Sequence, residues 1–350
     1  MDLFGDVLPP PERPRGARAK RPEQVDAAPV DAELQDLAER LPSAVHLGTS
    51  SWSFPGWRGL VWAGDHSDAQ LSRAGLTAYA RHPMLRTVSL DRSFYRPLTA
   101  GEYAVYAAQV PDNFRFIVKA PSLVCDALLR GADGRATQDN PAFLDPELAC
   151  REFVQPALDG LGLKIGALVF QLSPLPLRRL ERMDLLLQQI AAMLAALPAL
   201  RPAAPDGVIA VEVRNPELLT PAFASILKHA GATYCVGLHP KLPPIEQQLP
   251  MLRALWPGPL VCRWSLNARH GAYGYADAKL GYAPFDHLVD PDPATRAALA
   301  RVIAGTAGSG FPVYIAVNNK AEGSAPLSVF ALGQAVAQLG SARLGSAVDT

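Results

Sequence analysis

Charged side chains close several short apolar runs of this sequence, and their types are those that catalytic and anion-binding sites use. They comprise two carboxylates, Asp91 and Glu212, and three cations, Lys119, Arg214 and Arg263. Burying such charges singly is very costly, so each must pair, stay hydrated or bind a ligand. We predict that Arg263 and Lys119 hold an anionic substrate group, with Glu212 or Asp91 as general base or acid. A self-satisfied ion network, for example Glu212 with Lys119, is the alternative.

The apolar runs that carry these residues predict the fold. Eight runs, most of them rich in β-branched residues, occupy positions 45–50, 86–91, 114–120, 166–172, 208–214, 232–239, 259–265 and 312–319. A near-continuous apolar run suits a strand buried on both faces of a parallel sheet. Eight of them, alternating with helix-length segments, predict an α/β fold, a single (β/α)8 TIM-type barrel. Such barrels place their chemistry at the carboxyl ends of the strands, where this sequence has Asp91, Lys119, Gln171, Glu212, Arg214, His239, Arg263, Asn318 and Asn319.

The rest of the chain is divided around this barrel. The predicted segments are a disordered leader over 1–28, a short capping helix over 29–43, the barrel over 44–340 and a tail over 341–350. The leader is rich in proline and charge and has few core-forming residues, so it cannot offset the entropy of ordering. Asp31 has the residue type and place of an N-cap. The Leu- and Met-rich segment 177–200 predicts one long amphipathic helix that packs on the barrel.

Composition excludes several classes of protein. Hydrophobic residues make up 49% and charged residues 19% of the 350 residues, which are values for a globular protein with a sizeable core. The formal net charge of +0 gives no global field that would attract nucleic acid or an anionic membrane, although a local anion site stays open. The four cysteines are widely spaced, and no stretch is long and apolar enough to span a membrane. We expect a cytoplasmic protein without membrane association, and no protein partner can be named.

Two loops bear on ligand binding. The segment 266–291, after the seventh strand, is long and rich in aromatic and basic residues, which favours a lid; a rim loop packed on neighbouring helices is the alternative. After the eighth strand, Gly323 and Ser324 precede a predicted helix. Free backbone N–H groups there, with Lys320 and Arg263 near, predict a phosphate or carboxylate site, although an ordinary N-capped helix fits the same residues.

Familiar catalytic and metal-binding motifs are missing from the sequence. It contains no GxSxG, HExxH or GxxxxGK[ST] pattern, and its seven histidines are scattered. We therefore predict no cofactor and no metal site. A divalent ion held by Asp91, Glu212 and His239 is not excluded.

Several short segments together resemble the YecE-like family of barrels (domain of unknown function 72). They are GTSSWSFPGWRG at 48–59, SFYR at 93–96, FRFIVKAP at 114–121, LVFQLSP at 168–174 and VEVR at 211–214, followed by Arg263 and the pair Asn318 and Asn319. The resemblance implies a TIM-type barrel over most of the chain and no established reaction. With it, we place Trp52, Tyr95 and Gln171 with Lys119, Arg214, Arg263, Asn318 and Asn319 among the expected substrate-binding residues.

The sequence also departs from the family pattern. Ser89 and Asp91 stand where the family usually has Glu and Asn, and Cys125 with Asp126 replaces an expected Thr-His pair. Asn215 stands in place of a further histidine. The chain therefore resembles a divergent member, and the missing histidines weaken any metal or histidine-base mechanism taken from relatives.

Two classes of function follow from these residues. The first is a hydrolase or lyase that acts on a small anionic substrate, which includes phosphorylated ones. The second is a non-catalytic barrel that binds an anion or a nucleic-acid end and acts through a partner. The net charge of +0 does not indicate nucleic-acid binding. A raised pKa on Glu212 or Asp91 favours the first class. Internal pairing of all the charges, or a basic groove leading from the site, favours the second.

Overall fold

The structure is a computed structural model that describes residues 24–131 and 135–348, with side chains as far as residue 340. Its strands are β1 (Val45–Thr49), β2 (Thr87–Leu90), β3 (Arg115–Lys119), β4 (Leu128–Arg130), β5 (Ala136–Asp139), β6 (Ile165–Gln171), β7 (Val208–Glu212), β8 (Thr233–Leu238), β9 (Leu260–Trp264) and β10 (Val313–Val317). Within these residues, β1, β2, β3, β6, β7, β8, β9 and β10 form a closed parallel barrel in that order. Each of the eight apolar runs forms one of its strands, which confirms the predicted TIM-type fold.

Helices connect the barrel strands. They are α1 (Ala32–Arg40), α2 (Asp68–Ala74), α3 (Leu76–Tyr79), α4 (Arg92–Tyr95), α5 (Ala100–Ala107), α6 (Ser122–Cys125), α7 (Pro146–Ala149), α8 (Gln155–Leu161), α9 (Leu177–Leu180), α10 (Met183–Ala196), α11 (Pro221–His229), α12 (Ile245–Ala254), α13 (Tyr275–Tyr282), α14 (Pro293–Gly308) and α15 (Ala325–Val348). Asp31 caps α1 as predicted, because its carboxylate accepts a hydrogen bond from the Leu34 N–H at 2.8 Å. Among the helices of the described residues, none has the length and apolarity to cross a bilayer.

The two-residue period of a strand decides which side chains fill the barrel. The lower interior is an apolar cluster of Ile117, Ala167, Val169, Ala210, Cys235, Val261, Tyr314 and Ala316. Two positions further along β3, β6, β7 and β9, the next inward-facing residues are Lys119, Gln171, Glu212 and Arg263. The change from apolar to charged side chains within one period places the polar groups together at the carboxyl end.

Three connections differ from the sequence-based expectation. The predicted single helix over 177–200 is two helices, α9 and α10, separated at Arg182, whose φ of −113° and ψ of 49° lie outside the helical region. The second of these helices, α10, ends at Ala196, because Pro198 disfavours the helical conformation for Leu197. The loop after β3 contains an antiparallel hairpin of β4 and β5. The long segment after β9 contains the ordered helix α13.

The chain joins the barrel earlier than the predicted leader boundary at residue 28. Val25 and Ala28 are buried, and the Ala28 N–H donates to the Val61 carbonyl at 2.9 Å. Ala27 also forms an antiparallel bridge with Trp62, so the described part of the predicted leader, although flanked by polar residues, contacts the barrel domain. The remainder of the predicted leader, residues 1–23, and the last two residues of the predicted tail lie outside the described residues.

Two histidines are buried away from the carboxyl end of the barrel. His46, on β1, stacks on the ring of Tyr314 with centroids 5.2 Å apart. His82, just before β2, stacks on Phe330 at 4.9 Å, and its Nδ1 accepts a hydrogen bond from the Met84 N–H. Burial lowers the pKa of each imidazole to about 4, because the charged form is poorly solvated there.

We predict that acid destabilises the fold through these two histidines. The unfolded state takes up protons near pH 6.5, whereas the folded state resists them until about pH 4. The free energy of unfolding should therefore be at its maximum above pH 6.5 and fall towards pH 4, by up to about 1.4 kcal/mol per pH unit for each histidine. Urea unfolding of the wild type and of His82→Asn, from pH 4 to 8, measures this.

The asparagine variant retains an acceptor for the Met84 N–H but does not titrate. Its difference from the wild type at pH 8, where both histidines are neutral, gives the cost of lost packing and serves as the control. A smaller pH dependence in His82→Asn is the expected result. Parallel curves across the whole range would contradict the assignment.

Candidate active site

Six polar side chains, which we call the mouth cluster, converge at the carboxyl end of the barrel. They are Asp91, Lys119, Gln171, Glu212, Arg214 and Arg263. Arg263 lies at the centre: its Nη1 donates to Glu212 Oε2 at 2.7 Å and to Gln171 Oε1 at 2.8 Å. Its Nη2 donates to both carboxylate oxygens of Asp91, at 2.9 and 3.2 Å. All six are strand-end candidates in the sequence, and the fold brings them together.

Glu212 is fully buried and lies between two guanidinium groups. Besides Arg263, Arg214 approaches with its Nη1 at 2.6 Å from Glu212 Oε1, as an ion pair without hydrogen-bond alignment. Arg214 Nη2 donates to Gln171 Oε1 at 3.2 Å. Gly237 on β8 lies beside this pair: a Cβ at that position would be in ordinary contact with Arg214 Nη1 at 3.4 Å and Glu212 Oε1 at 3.6 Å, but only 2.7 Å from Leu242 Cδ1.

Both carboxylates of the mouth cluster are held in the ionised form. Burial by itself raises the pKa of Glu212, but the positive charges of Arg214 and Arg263 outweigh it and the net pKa is lowered. At Asp91 burial likewise opposes ionisation, and Arg263 and Lys119 lower the net pKa. The Ser89 hydroxyl, which donates to Asp91 Oδ1 at 2.6 Å, adds to this effect. The negative charges of Asp91 and Glu212 in turn raise the pKa of Arg263, despite its burial.

Lys119 differs from the other charged members of the cluster. It is only 9% exposed, and its Nζ lies 3.5 Å from the centroid of the Phe94 ring. Among the described residues, Nζ has neither a hydrogen-bond acceptor nor an ion-pair partner. Burial, and next the charge of Arg263, lower its pKa to about 8. With Lys119 protonated, three cations face two carboxylates, so the cluster carries one net positive charge.

The rim above the cluster adds further cations that rest on aromatic rings. Lys320 Nζ lies 4.6 Å from the Tyr275 ring centroid, and Lys241 Nζ lies 4.6 Å from that of Tyr273. Burial and the charge of Lys279 lower the pKa of Lys320. The phenol of Tyr275 lies within the electrostatic reach of Arg263 and Asp91. The loop after β9 therefore lies over the mouth cluster, as a lid does.

The lid is cross-linked by its own side chains and is tied to the loop after β10 through residues 289 and 290. Tyr282 donates to Asp290 Oδ2 at 2.6 Å and contacts His270 Nε2 at 2.7 Å, and Arg269 also pairs with Asp290. The backbone N–H groups of 289 and 290 donate to the Glu322 carbonyl, at 2.8 and 3.1 Å. These contacts hold the ends of the lid, whereas Tyr273 at its tip is 88% exposed.

The predicted anion site at the start of α15 is already occupied by protein groups. Asn319 is 1% exposed, and its Oδ1 accepts hydrogen bonds from the Ala325 N–H at 2.8 Å and from Trp57 Nε1 at 3.1 Å. Pro326 has no N–H to offer. Asn319 therefore caps the helix and joins it to the loop after β1, a role that its position at a strand end does not reveal.

Three other predicted binding residues have their contacts outside the mouth cluster. Asn318 accepts a hydrogen bond from the Lys320 N–H at 3.0 Å and begins a turn on the rim. Trp52 is buried, and its Nε1 donates to the Leu71 carbonyl at 3.1 Å, which is a packing role. Tyr95 is 82% exposed and borders a groove of about 910 Å³ beside the cluster.

The three residues considered as metal ligands do not form a ligand set. In the part of the chain that the structure describes, no three His, Cys, Asp or Glu side chains gather in metal-ligand geometry. Glu212 and Asp91 instead face opposite nitrogens of Arg263. Burial, and next the charge of Arg214, lower the pKa of His239 to about 4.

Comparison with known families agrees with the barrel. The family model described as "Protein of unknown function DUF72" matches residues 46–347. The chain belongs to the DUF72 family. This confirms the resemblance to YecE-like proteins noted in the sequence, and it brings no established reaction with it. No curated protein matches the sequence significantly.

Solved structures of other DUF72 family proteins have the same fold. One from Enterococcus faecalis is 18% identical, with a TM-score of 0.54, and the match covers 83% of this chain and 95% of the other. One from Thermotoga maritima is 19% identical, with a TM-score of 0.51 over 83% and 98% of the two chains. At these identities the likeness is one of fold.

Three residues that shape the mouth cluster were not among the sequence-predicted site residues. Phe94, whose ring lies under Lys119, is in the SFYR segment next to the predicted Tyr95. Gly237 stands two positions after Cys235 on β8, which the strand period identifies as inward-facing. Ser89 stands two positions before Asp91, so the same period predicts that its side chain points to the same side of the strand as that of Asp91.

We predict that Arg263→Ala lowers the free energy of unfolding by about 3–5 kcal/mol, because it leaves two carboxylates in the barrel without their shared counter-ion. Chemical denaturation at neutral pH measures the change. Arg58→Ala is the control, since Arg58 pairs with Asp65 but is 62% exposed, and should cost no more than about 1 kcal/mol. Equal costs for the two variants would contradict a structural role for the buried network.

Proposed function

We propose that the barrel mouth binds a small organic anion through Lys119, Arg214 and Lys320. The observation that carries this proposal is the excess positive charge of the mouth cluster, in which Lys119 has no counter-ion among the described residues. A buried cation without a partner is costly, and an anionic ligand would relieve that cost. The carboxylate or phosphate of a metabolite has the matching charge and size.

The carboxylates take a positioning role in this proposal. A carboxyl group acts as a general acid only if it keeps its proton near neutral pH, and the pKa of both Glu212 and Asp91 is lowered. Their hydrogen bonds fix the guanidinium of Arg263, and Gln171 fixes both arginines. Of the two reaction classes that the sequence suggests, a lyase is favoured over a hydrolase, since a lyase can use the lysine amine instead of a carboxylic acid.

A non-catalytic barrel that binds a nucleic-acid end is the second candidate. It is favoured by the groove next to the cluster, where the exposed ring of Tyr95 could stack on a base. The arginines of that groove are already paired, Arg96 with Glu102 and Arg130 with Asp126. A backbone-binding groove needs uncompensated positive charge, so the small anion is the better supported ligand.

We predict that sodium phosphate or pyruvate, at constant ionic strength, raises the melting temperature of the wild type by mass action. Lys119→Met and Lys320→Met should each weaken binding about tenfold or more, because each removes a charge-assisted contact. Lys228→Met, on the distant helix α11, is the matched control. A short single-stranded oligonucleotide is tested in parallel. Stabilisation by the oligonucleotide alone would favour the second candidate.

We further predict that anion affinity falls as the pH rises through about 8, since Lys119 loses its charge with a pKa of about 8. The loss of one ionic contact should weaken binding about tenfold between pH 7 and pH 9. In Lys119→Arg the charge persists, so this fall should disappear. Titration calorimetry with acetate, which carries the same negative charge at both pH values and has no ketone group to react with a neutral amine, gives the affinities. A pH dependence that is unchanged in the arginine variant would assign the effect to another group.

A further inference from the structure

We propose that Lys119 is a catalytic amine that captures the carbonyl group of its ligand as an imine. The substrate class is then an oxo acid or a phosphorylated aldehyde or ketone, with an anionic group at one end and a carbonyl near it. This inference rests on the proposed function, because the anionic end is the part that Arg214 and Lys320 would hold. It adds a covalent step and the group that performs it.

The position of the amine supports this role. Lys119 is the last residue of β3, faces into the barrel and is only 9% exposed. All the other charged members of the mouth cluster have ion-pair partners, but among the described residues Lys119 Nζ has only the face of Phe94. An amine without an acceptor is free to direct its lone pair at a ligand. Phe94 shields one side of it, so a ligand must approach from the side of the charged groups.

The electrostatic surroundings keep part of the amine in the reactive form. Burial, and next the charge of Arg263, lower the pKa of Lys119 to about 8, so on the order of a tenth of the molecules carry a neutral amine at pH 7. An exposed lysine with a pKa near 10.4 has a fraction hundreds of times smaller. Desolvated lysines beside another cation are suited to imine formation for this reason.

The step balances without any further reactant. The neutral Nζ attacks the carbonyl carbon, and a carbon–nitrogen bond forms while the carbonyl π bond breaks. The two hydrogens of the amine leave with the carbonyl oxygen as one molecule of water, and an imine between Lys119 and the substrate remains. The imine takes up a proton to become an iminium, which withdraws electrons from the adjacent carbon. A lyase needs this electron sink to break a bond at that carbon.

Arg214 is the group best placed to orient the substrate for this attack. Its side chain is 11% exposed, more than the 7% of Arg263. Nη1 is buried against Glu212, which leaves Nη2, the donor to Gln171 at 3.2 Å, as the terminal nitrogen for a ligand to contact. Its charge acts on Lys119 as well. A carboxylate bound there would place a neighbouring carbonyl group towards the amine.

Reductive trapping tests the inference on the full chain. Wild-type protein is incubated with pyruvate and sodium borohydride at pH 7.5, digested, and mapped by mass spectrometry. The expected result is a carboxyethyl adduct on Lys119, at least tenfold above that on any other lysine. Acetone, which has the carbonyl but no anionic group, should give far less. Lys119→Arg, which retains the charge, should lose the adduct, whereas Lys228→Arg should keep it.

The outcomes separate this inference from the function on which it rests. Stabilisation by pyruvate without an adduct on Lys119 would overturn the imine step and leave anion binding intact. Neither stabilisation nor adduct, together with no response to phosphate, would overturn both. An adduct spread evenly over surface lysines would also overturn the imine step. Because peptide mapping identifies the labelled residue in the wild type directly, the test stands even if the arginine variant fails to fold.

Discussion

The buried guanidinium of Arg263 is the interaction on which the barrel mouth depends. It binds Glu212 and Gln171 with one nitrogen and Asp91 with the other, and so joins side chains from β9, β7, β6 and the end of β2. A carboxylate as buried as Glu212 could not stay ionised without such a partner, since its desolvation would outweigh any weak attraction. The planar fork of arginine, rather than the single point charge of lysine, allows this geometry. Arg214 shares Glu212 with Arg263, and Lys119 is then left without a carboxylate of its own.

The uncompensated positive charge of the mouth cluster is the feature on which the proposed ligand binding rests. Two carboxylates compensate two arginines, and Lys119 is the charge left over, held against an aromatic ring. The same pattern recurs on the rim, where Lys320 and Lys241 lie on tyrosine rings. Aromatic faces attract cations without neutralising them. The mouth therefore keeps a positive potential even though the formal charge of the whole chain is +0, and a small anion is the ligand that this potential favours.

Membership of the DUF72 family explains the barrel but not its use here. The structural relatives have the same fold at 18% and 19% identity, and a TIM-type barrel accommodates many reactions. The chemistry has to be argued from the side chains at the strand ends. In this chain those side chains are arginine, lysine, carboxylate and amide, and the pKa of the nearby His239 is lowered to about 4, a composition that fits the proposed amine and anion chemistry.

The barrel and the six residues of the mouth cluster follow from the sequence alone, because buried parallel strands leave long apolar runs and the polar residues that end them must meet at one edge. The N-cap at Asp31 follows from it as well. How the charges are shared depends on the tertiary structure. Asp91 and Lys119 are both strand-end residues, yet one is paired and the other is not, and that depends on side-chain reach across the barrel. Asn319 became a helix cap and Trp52 a packing residue because groups distant in sequence came within hydrogen-bond distance of them. Sequence spacing carries no record of such contacts.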